Sequence, residues 1–95
     1  MEAKLELLPG VVNGVAGVTI SLVVNSPRHG SFELEVAGQG VPVYKLIKKE
    51  LIPMLLDRGI PESAATDLVN QGLKLRGMGL IHMSRGRSIH AEAIY

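Results

Sequence analysis

The chain contains no cysteine and no tryptophan, and its only aromatic residues are Phe32, Tyr44 and Tyr95. The first absence excludes a disulfide framework and thiolate metal sites. The scarcity of aromatics means that the core has to be assembled from Val, Leu, Ile and Met. Charge is also sparse: 20% of the 95 residues are charged while 46% are apolar. A small domain of that composition exposes more apolar surface than a monomer usually carries, which points to self-association or a permanent partner. Chemistry-bearing motifs are missing as well. Gly38-Gln39-Gly40 follows an extended stretch, but neither GK[ST] nor GxGxxG occurs, so no phosphate cradle is expected. Nothing orients a serine, a histidine and an aspartate on one another. The expectation is a protein that is not an enzyme and holds no cofactor.

An uncharged stretch from Leu7 to Pro27 is long enough to cross a bilayer as a helix. Pro9, Asn13 and three glycines interrupt it, and its apolar residues are mostly β-branched, so it reads as strands and no membrane span is assigned. The start "MEAKLE" alternates in charge where a secretory leader would be basic, and the expected location is cytoplasmic. The net charge of +1 is unevenly placed. Residues 1–40 hold Lys4 and Arg28 against Glu2, Glu6, Glu33 and Glu35, a balance of −2, and residues 41–95 contribute +3.

What is present begins with Asn13-Gly14, a pair suited to the two positive φ angles of a type I′ hairpin turn. If Val12 opposes Val15, then Leu7 meets Ile20, Leu5 meets Leu22 and Ala3 meets Val24, all apolar and all on one face. Lys4, Glu6, Thr19 and Ser21 fall on the other. Pro9 lacks an N–H, which places the first strand at a sheet edge. "SFELEVA", Ser31 to Ala37, supplies a third strand with Phe32, Leu34 and Val36 inward and Glu33 and Glu35 outward.

Val41 to Arg58 has helical spacing, with Val43, Leu46, Ile47, Leu51, Met54 and Leu55 on one stripe and Lys45, Lys48 and Lys49 opposite. Pro53 inside this run predicts a kink near Lys49 or a break. Gly59 suits a helix C-terminus, and Pro61 the start of a second helix running to about Leu75. Gly72 marks a weak point or a close helix contact. Beyond it, Ile81 and Met83, then Ile89, Ala91, Ala93 and Tyr95, alternate as two strands around Ser84-Arg85-Gly86. His82, His90 and Glu92 share the opposite face of that hairpin; they are ligand types for zinc or iron, but surface histidines on strands are commoner, and no metal site is assigned.

The stretch "LIPMLLDRGIPESAATDLVNQ", Leu51 to Gln71, resembles the helix-turn-helix pattern. Gly59 stands at the turn, Ile60 follows as the buried residue, and Ala65 and Leu68 form the buried face of the second helix. The hairpin at 79–95 would then be the wing of a winged-helix protein, which implies DNA binding. Arg58 and Leu55 depart from the pattern, which prefers an apolar and a small residue there. The outer face of the second helix carries Glu62, Ser63, Thr66, Asp67 and Asn70, and its two carboxylates would meet the phosphate field without an Arg or Lys for guanine. Base reading by this helix is therefore not expected. A better anion signal lies downstream, where Lys74, Arg76, Arg85 and Arg87 occupy a segment without acids, two of them beside the hairpin tip.

These readings predict a single domain, 1–95, of class α+β and order βββααββ. A three-stranded antiparallel β-meander (1–40) is followed by two helices packed on one face (41–76) and a C-terminal β-hairpin (77–95). The expected function is a small non-enzymatic protein-binding module, a regulator, adaptor or inhibitor. It acts as a homo-oligomer, most simply a homodimer that extends its sheet from the edge beginning at Ala3. The alternative is a winged-helix-like DNA-binding regulator touching phosphates through Lys74, Arg76, Arg85 and Arg87.

Overall fold

The computed structural model describes residues 1–82. Three antiparallel strands, β1 (Glu2–Val12), β2 (Val15–Ser26) and β3 (Gly30–Gln39), lie in the order β1-β2-β3. Asn13 and Gly14 take φ angles of 53° and 77°, as a type I′ turn requires. The turn fixes the register: Val12 pairs with Val15, Leu7 with Ile20, Leu5 with Leu22 and Ala3 with Val24. Pairing of β2 with β3 runs without a bulge from Gly17 opposite Gln39 to Ser26 opposite Gly30. The turn between them is closed by Ser26, whose Oγ accepts from the N–H groups of Arg28 (3.3 Å) and His29 (3.1 Å).

One face of this sheet, formed by Ala3, Leu5, Ile20, Leu22, Val24, Leu34 and Val36, is buried in the core. The first helical rod packed on it comprises α1 (Val43–Leu46), a π-helical turn (Ile47–Leu51) and α2 (Ile52–Asp57), end to end. Pro53 therefore neither breaks the rod nor ends it. The turn before it widens, so that Ile52 N–H bonds the carbonyl of Ile47, five residues back. The wider turn relieves the clash of the proline ring with the carbonyl four residues earlier. It also changes which residues face inward. One extra residue delays the helical phase by about 100°, which swings Ile52 round beside Ile47, Leu51 and Leu55, all buried. A stripe drawn at 3.6 residues per turn omits Ile52 for that reason.

α2 ends in a glycine cap. Gly59, at φ 85°, donates to Leu56 O (2.9 Å) and Ile60 to Leu55 O (3.3 Å), and the side chain of Ile60 is buried. α3 (Glu62–Leu75) follows and buries Ala65, Leu68, Val69, Gly72 and Leu73. Its closest approach is to β1 and not to another helix. A Cβ built on Gly72 would sit 2.6 Å from Leu5 Cβ and 3.2 Å from Leu5 N. Hydrogen is the largest side chain that fits.

The order is thus βββαα, and the expected βββααββ is corrected. Of the segment read as a hairpin, Gly77 to His82 forms no strand, and Met83 to Tyr95 lie outside the described residues. Ile81 is buried, as its alternation with neighbours implied, but its backbone meets a side chain instead of a strand. Ile81 N–H donates to Asn70 Oδ1 (2.8 Å), and Asn70 Nδ2 donates to Ile81 O (2.9 Å). Tyr44 Oη donates to Gly79 O (2.9 Å). Residues 77–82 therefore form a strap held by α3 and α1. An amide side chain offers one donor and one acceptor side by side, as an extended peptide does, so Asn70 satisfies Ile81 as a neighbouring strand would.

Two substitutions test this packing. Gly72→Ala is expected to lower stability by about 1–2 kcal/mol in urea titrations, because overpacking against Leu5 outweighs the gain in helix propensity. Gly10→Ala, whose Cβ meets nothing within 4 Å, should change stability by less than about 0.5 kcal/mol; equal stability of the two variants would refute the close contact. Asn70→Ala leaves both backbone groups of Ile81 without partners and should cost about 1–3 kcal/mol. Amide exchange at Ile81 should accelerate beyond that at Leu68, and an unchanged ratio would remove the clamp.

Candidate protein-interaction surface

The sheet has two edges and one uncovered face, and the sequence treats them differently. In a two-residue hairpin the residues flanking the turn form a hydrogen-bonded pair, and such pairs recur at every second residue. Val12 opposite Val15 therefore directs the even residues of β1 toward β2, and the odd residues, Met1 to Val11, toward the outer edge. α3 covers the first half of that edge. Gln71 bridges it, accepting from Ala3 N–H through Oε1 (3.2 Å) and donating to Met1 O through Nε2 (3.3 Å). Arg76 Nη1 reaches Leu5 O at 3.5 Å. Further along, Pro9 is an odd residue, so its missing N–H costs the ladder nothing and removes a donor from the free edge. The expectation that a second copy extends the sheet at Ala3 is corrected here, because Gln71 already holds that position.

The opposite edge is bare among the described residues. By the same alternation the even residues of β3 bond β2, and the backbone groups of Ser31, Glu33, Glu35 and Ala37 point outward. No backbone partner faces these four among the described residues.

The outer face of the sheet divides into two halves. Toward one end, Lys4, Val23 and Glu33 lie in register, as do Glu6, Ser21 and Glu35. Ser21 is buried despite facing outward, and its Oγ donates to Glu33 Oε2 (2.7 Å). With Glu2 beside Asn25, this half carries four carboxylates and one ammonium. Toward the other end the surface is apolar. Gly10 faces Gly17 across β1 and β2, and an open hollow forms there, bordered by Leu8, Thr19, Ala37 and by Gln39, which lies in register with Gly17. Leu8 (54% exposed) and Val15 (46%) stand on this face on either side of the glycine row, and Val11 (70%) is exposed on the opposite face, where the hairpin projects past the helices.

Of the predicted phosphate contacts, Lys74 and Arg76 lie among the described residues. Lys74 is exposed on the last turn of α3, where it lines a hollow with Glu2, Lys4 and Gln71. Arg76 is turned back to Leu5 O, and Arg85 and Arg87 lie outside the described residues. On the second helix, Glu62, Ser63 and Asp67 are exposed as expected, whereas Thr66 and Asn70 are partly buried. Among the described residues there is no cluster of His, Asp or Glu able to hold a metal ion, and no helix is long and apolar enough to cross a membrane. The roles of Gln71 and Asn70 were not foreseen; the available signal was their position beside Gly72, the point where α3 comes closest to β1. Comparison of the chain with protein-family models, with curated proteins and with solved structures finds no match.

The edge cover has a measurable consequence. Replacing both Gln71 and Arg76 by alanine should cost about 1 kcal/mol, lowering the melting temperature by about 4–8 °C in a domain of this size. Ala3 amide exchange should rise more than that of Leu22 in the sheet centre. Equal acceleration at both positions would show that α3 does not guard this edge.

Proposed function

We propose that this chain is a small non-enzymatic protein-binding module, of the regulator, adaptor or inhibitor kind, that associates with itself through the projecting end of its β1–β2 hairpin. The observation that carries this reading is the exposure of Leu8 and Val15 on one face of the hairpin end and of Val11 on the other. These residues cost solvation in the monomer, and covering them gains about 25 cal/mol for each Å² removed from water. The low charge of the chain and the absence of a catalytic constellation fit the same reading. A DNA-binding role has less support, since Arg76 is engaged at the β1 edge and the outer face of α3 begins with Glu62 and Asp67.

Sedimentation equilibrium over a wide concentration range tests the proposal. The wild type is expected to form dimers in the micromolar range, and Leu8→Lys with Val11→Lys is expected to be monomeric with an unchanged far-ultraviolet spectrum. A wild type that stays monomeric at the highest concentration, or a double variant that still dimerises, would overturn it.

A further inference from the structure

We infer that the bare edge of β3 is a docking site for an extended segment of another protein that carries lysine or arginine at alternate positions. The inference rests on the reading of the chain as a protein-binding module and names the partner's chemistry.

Three observations lead to it. First, the two edges of one sheet differ: β1 is covered by Gln71 and Arg76 and interrupted by Pro9, while β3 runs from Gly30 to Gln39 with no proline, no bulge and, among the described residues, no covering side chain on its outward backbone groups at Ser31, Glu33, Glu35 and Ala37. An open row of this kind pairs readily with an added strand. Second, the charge on the edge selects the partner. A second copy pairing antiparallel about Leu34 would set Glu33 against the partner's Glu35 in both directions, and like charges directly opposite are destabilising. The same two carboxylates, exposed and two residues apart on the outer face, would sit opposite two basic side chains of an incoming strand at the same spacing. Glu6, in register with Glu35, adds to the negative field there. Third, the inner side of the edge offers an apolar ledge. Phe32 is partly exposed, and the Arg58 guanidinium lies 4.2 Å from its ring centroid, closing the far side. The incoming strand would therefore alternate basic residues over Glu33 and Glu35 with apolar residues beside Phe32 and Leu34.

The probe is an eight-residue peptide alternating lysine and valine, blocked at both ends and fluorescently labelled, titrated with the intact protein by anisotropy at low and near-physiological salt. A peptide alternating glutamate and valine is the control. The lysine peptide is expected to bind with salt-sensitive affinity and the glutamate peptide not to bind. Glu33→Gln with Glu35→Gln should weaken binding about tenfold by removing two cross-strand charge pairs. Glu35→Pro separates backbone from charge: it deletes an outward N–H without touching the β2 ladder, so it should keep the melting temperature near that of Glu35→Gln but bind far more weakly than Glu35→Gln. Failure of the lysine peptide to bind, or equal binding by all the variants, would overturn the proposal and leave Glu33 and Glu35 as protection against edge pairing. Dimerisation at the hairpin end is read separately by sedimentation, so either result can fail without the other.

Discussion

The contact on which the α3 side of the molecule depends is the seating of Gly72 on Leu5. A helix backbone lying this close to a strand leaves no room for a Cβ, and only glycine permits the approach. Once the distance is set, the two residues before Gly72 acquire their tasks from geometry. Gln71 overhangs the strand edge and reaches Met1 and Ala3, while Asn70, on the other flank, reaches Ile81. A bulkier residue at 72 would lift the helix and withdraw the Gln71 amide from the β1 edge. Helix propensity favours alanine at such a position. The packing requirement wins because a helix interior glycine costs about 1 kcal/mol while several contacts depend on it.

Much of the meander was legible in the sequence because local chemistry and long-range pattern agreed. Asn13-Gly14 fixed the turn, the turn fixed the register, and the register put every apolar residue from Ala3 to Leu7 opposite another. The helix boundaries were also readable, since Gly59 and Pro61 act within a turn or two of where they stand. Two features escaped. The π-helical turn shifts the helical phase by a residue, and no fixed period can represent a change of period. The strap at 77–82 alternates in burial as a strand does, and alternation records which side chains are covered without recording what bonds the backbone. The candidate surface was legible in its composition, as excess apolar area, but not in its place. Which edge of a sheet is covered depends on where a distant helix lands, and Gln71 is far from Ala3 in the chain.

The asymmetry between the two edges gives the sheet a direction. One side is finished by side chains from the same molecule, which satisfy backbone groups that would otherwise pair with any passing strand. Among the described residues the other side is left with its backbone groups outward and carries charge in place of a cover. Charge discriminates where a cover merely blocks: it refuses a copy of itself and remains open to its electrostatic complement. The apolar hairpin end works by the opposite rule, since it carries no charge to tell one apolar partner from another. On the proposed reading, one selective edge and one unselective end would hold two kinds of neighbour at once.

The clamp between Asn70 and Ile81 has a consequence for how the chain can change over time. Its two hydrogen bonds go to the backbone, so the latch recognises a peptide group and is blind to the side chain attached to it. The core selects the residue at 81 by volume alone, and exposed Leu80 and His82 on either side answer to no part of the latch. Asn70, in contrast, has no substitute of the same length that offers both a donor and an acceptor. Sequence drift is thus freer at Leu80 and His82 than at Asn70, so related chains would be recognised by a fixed asparagine facing a strap that varies on either side of residue 81.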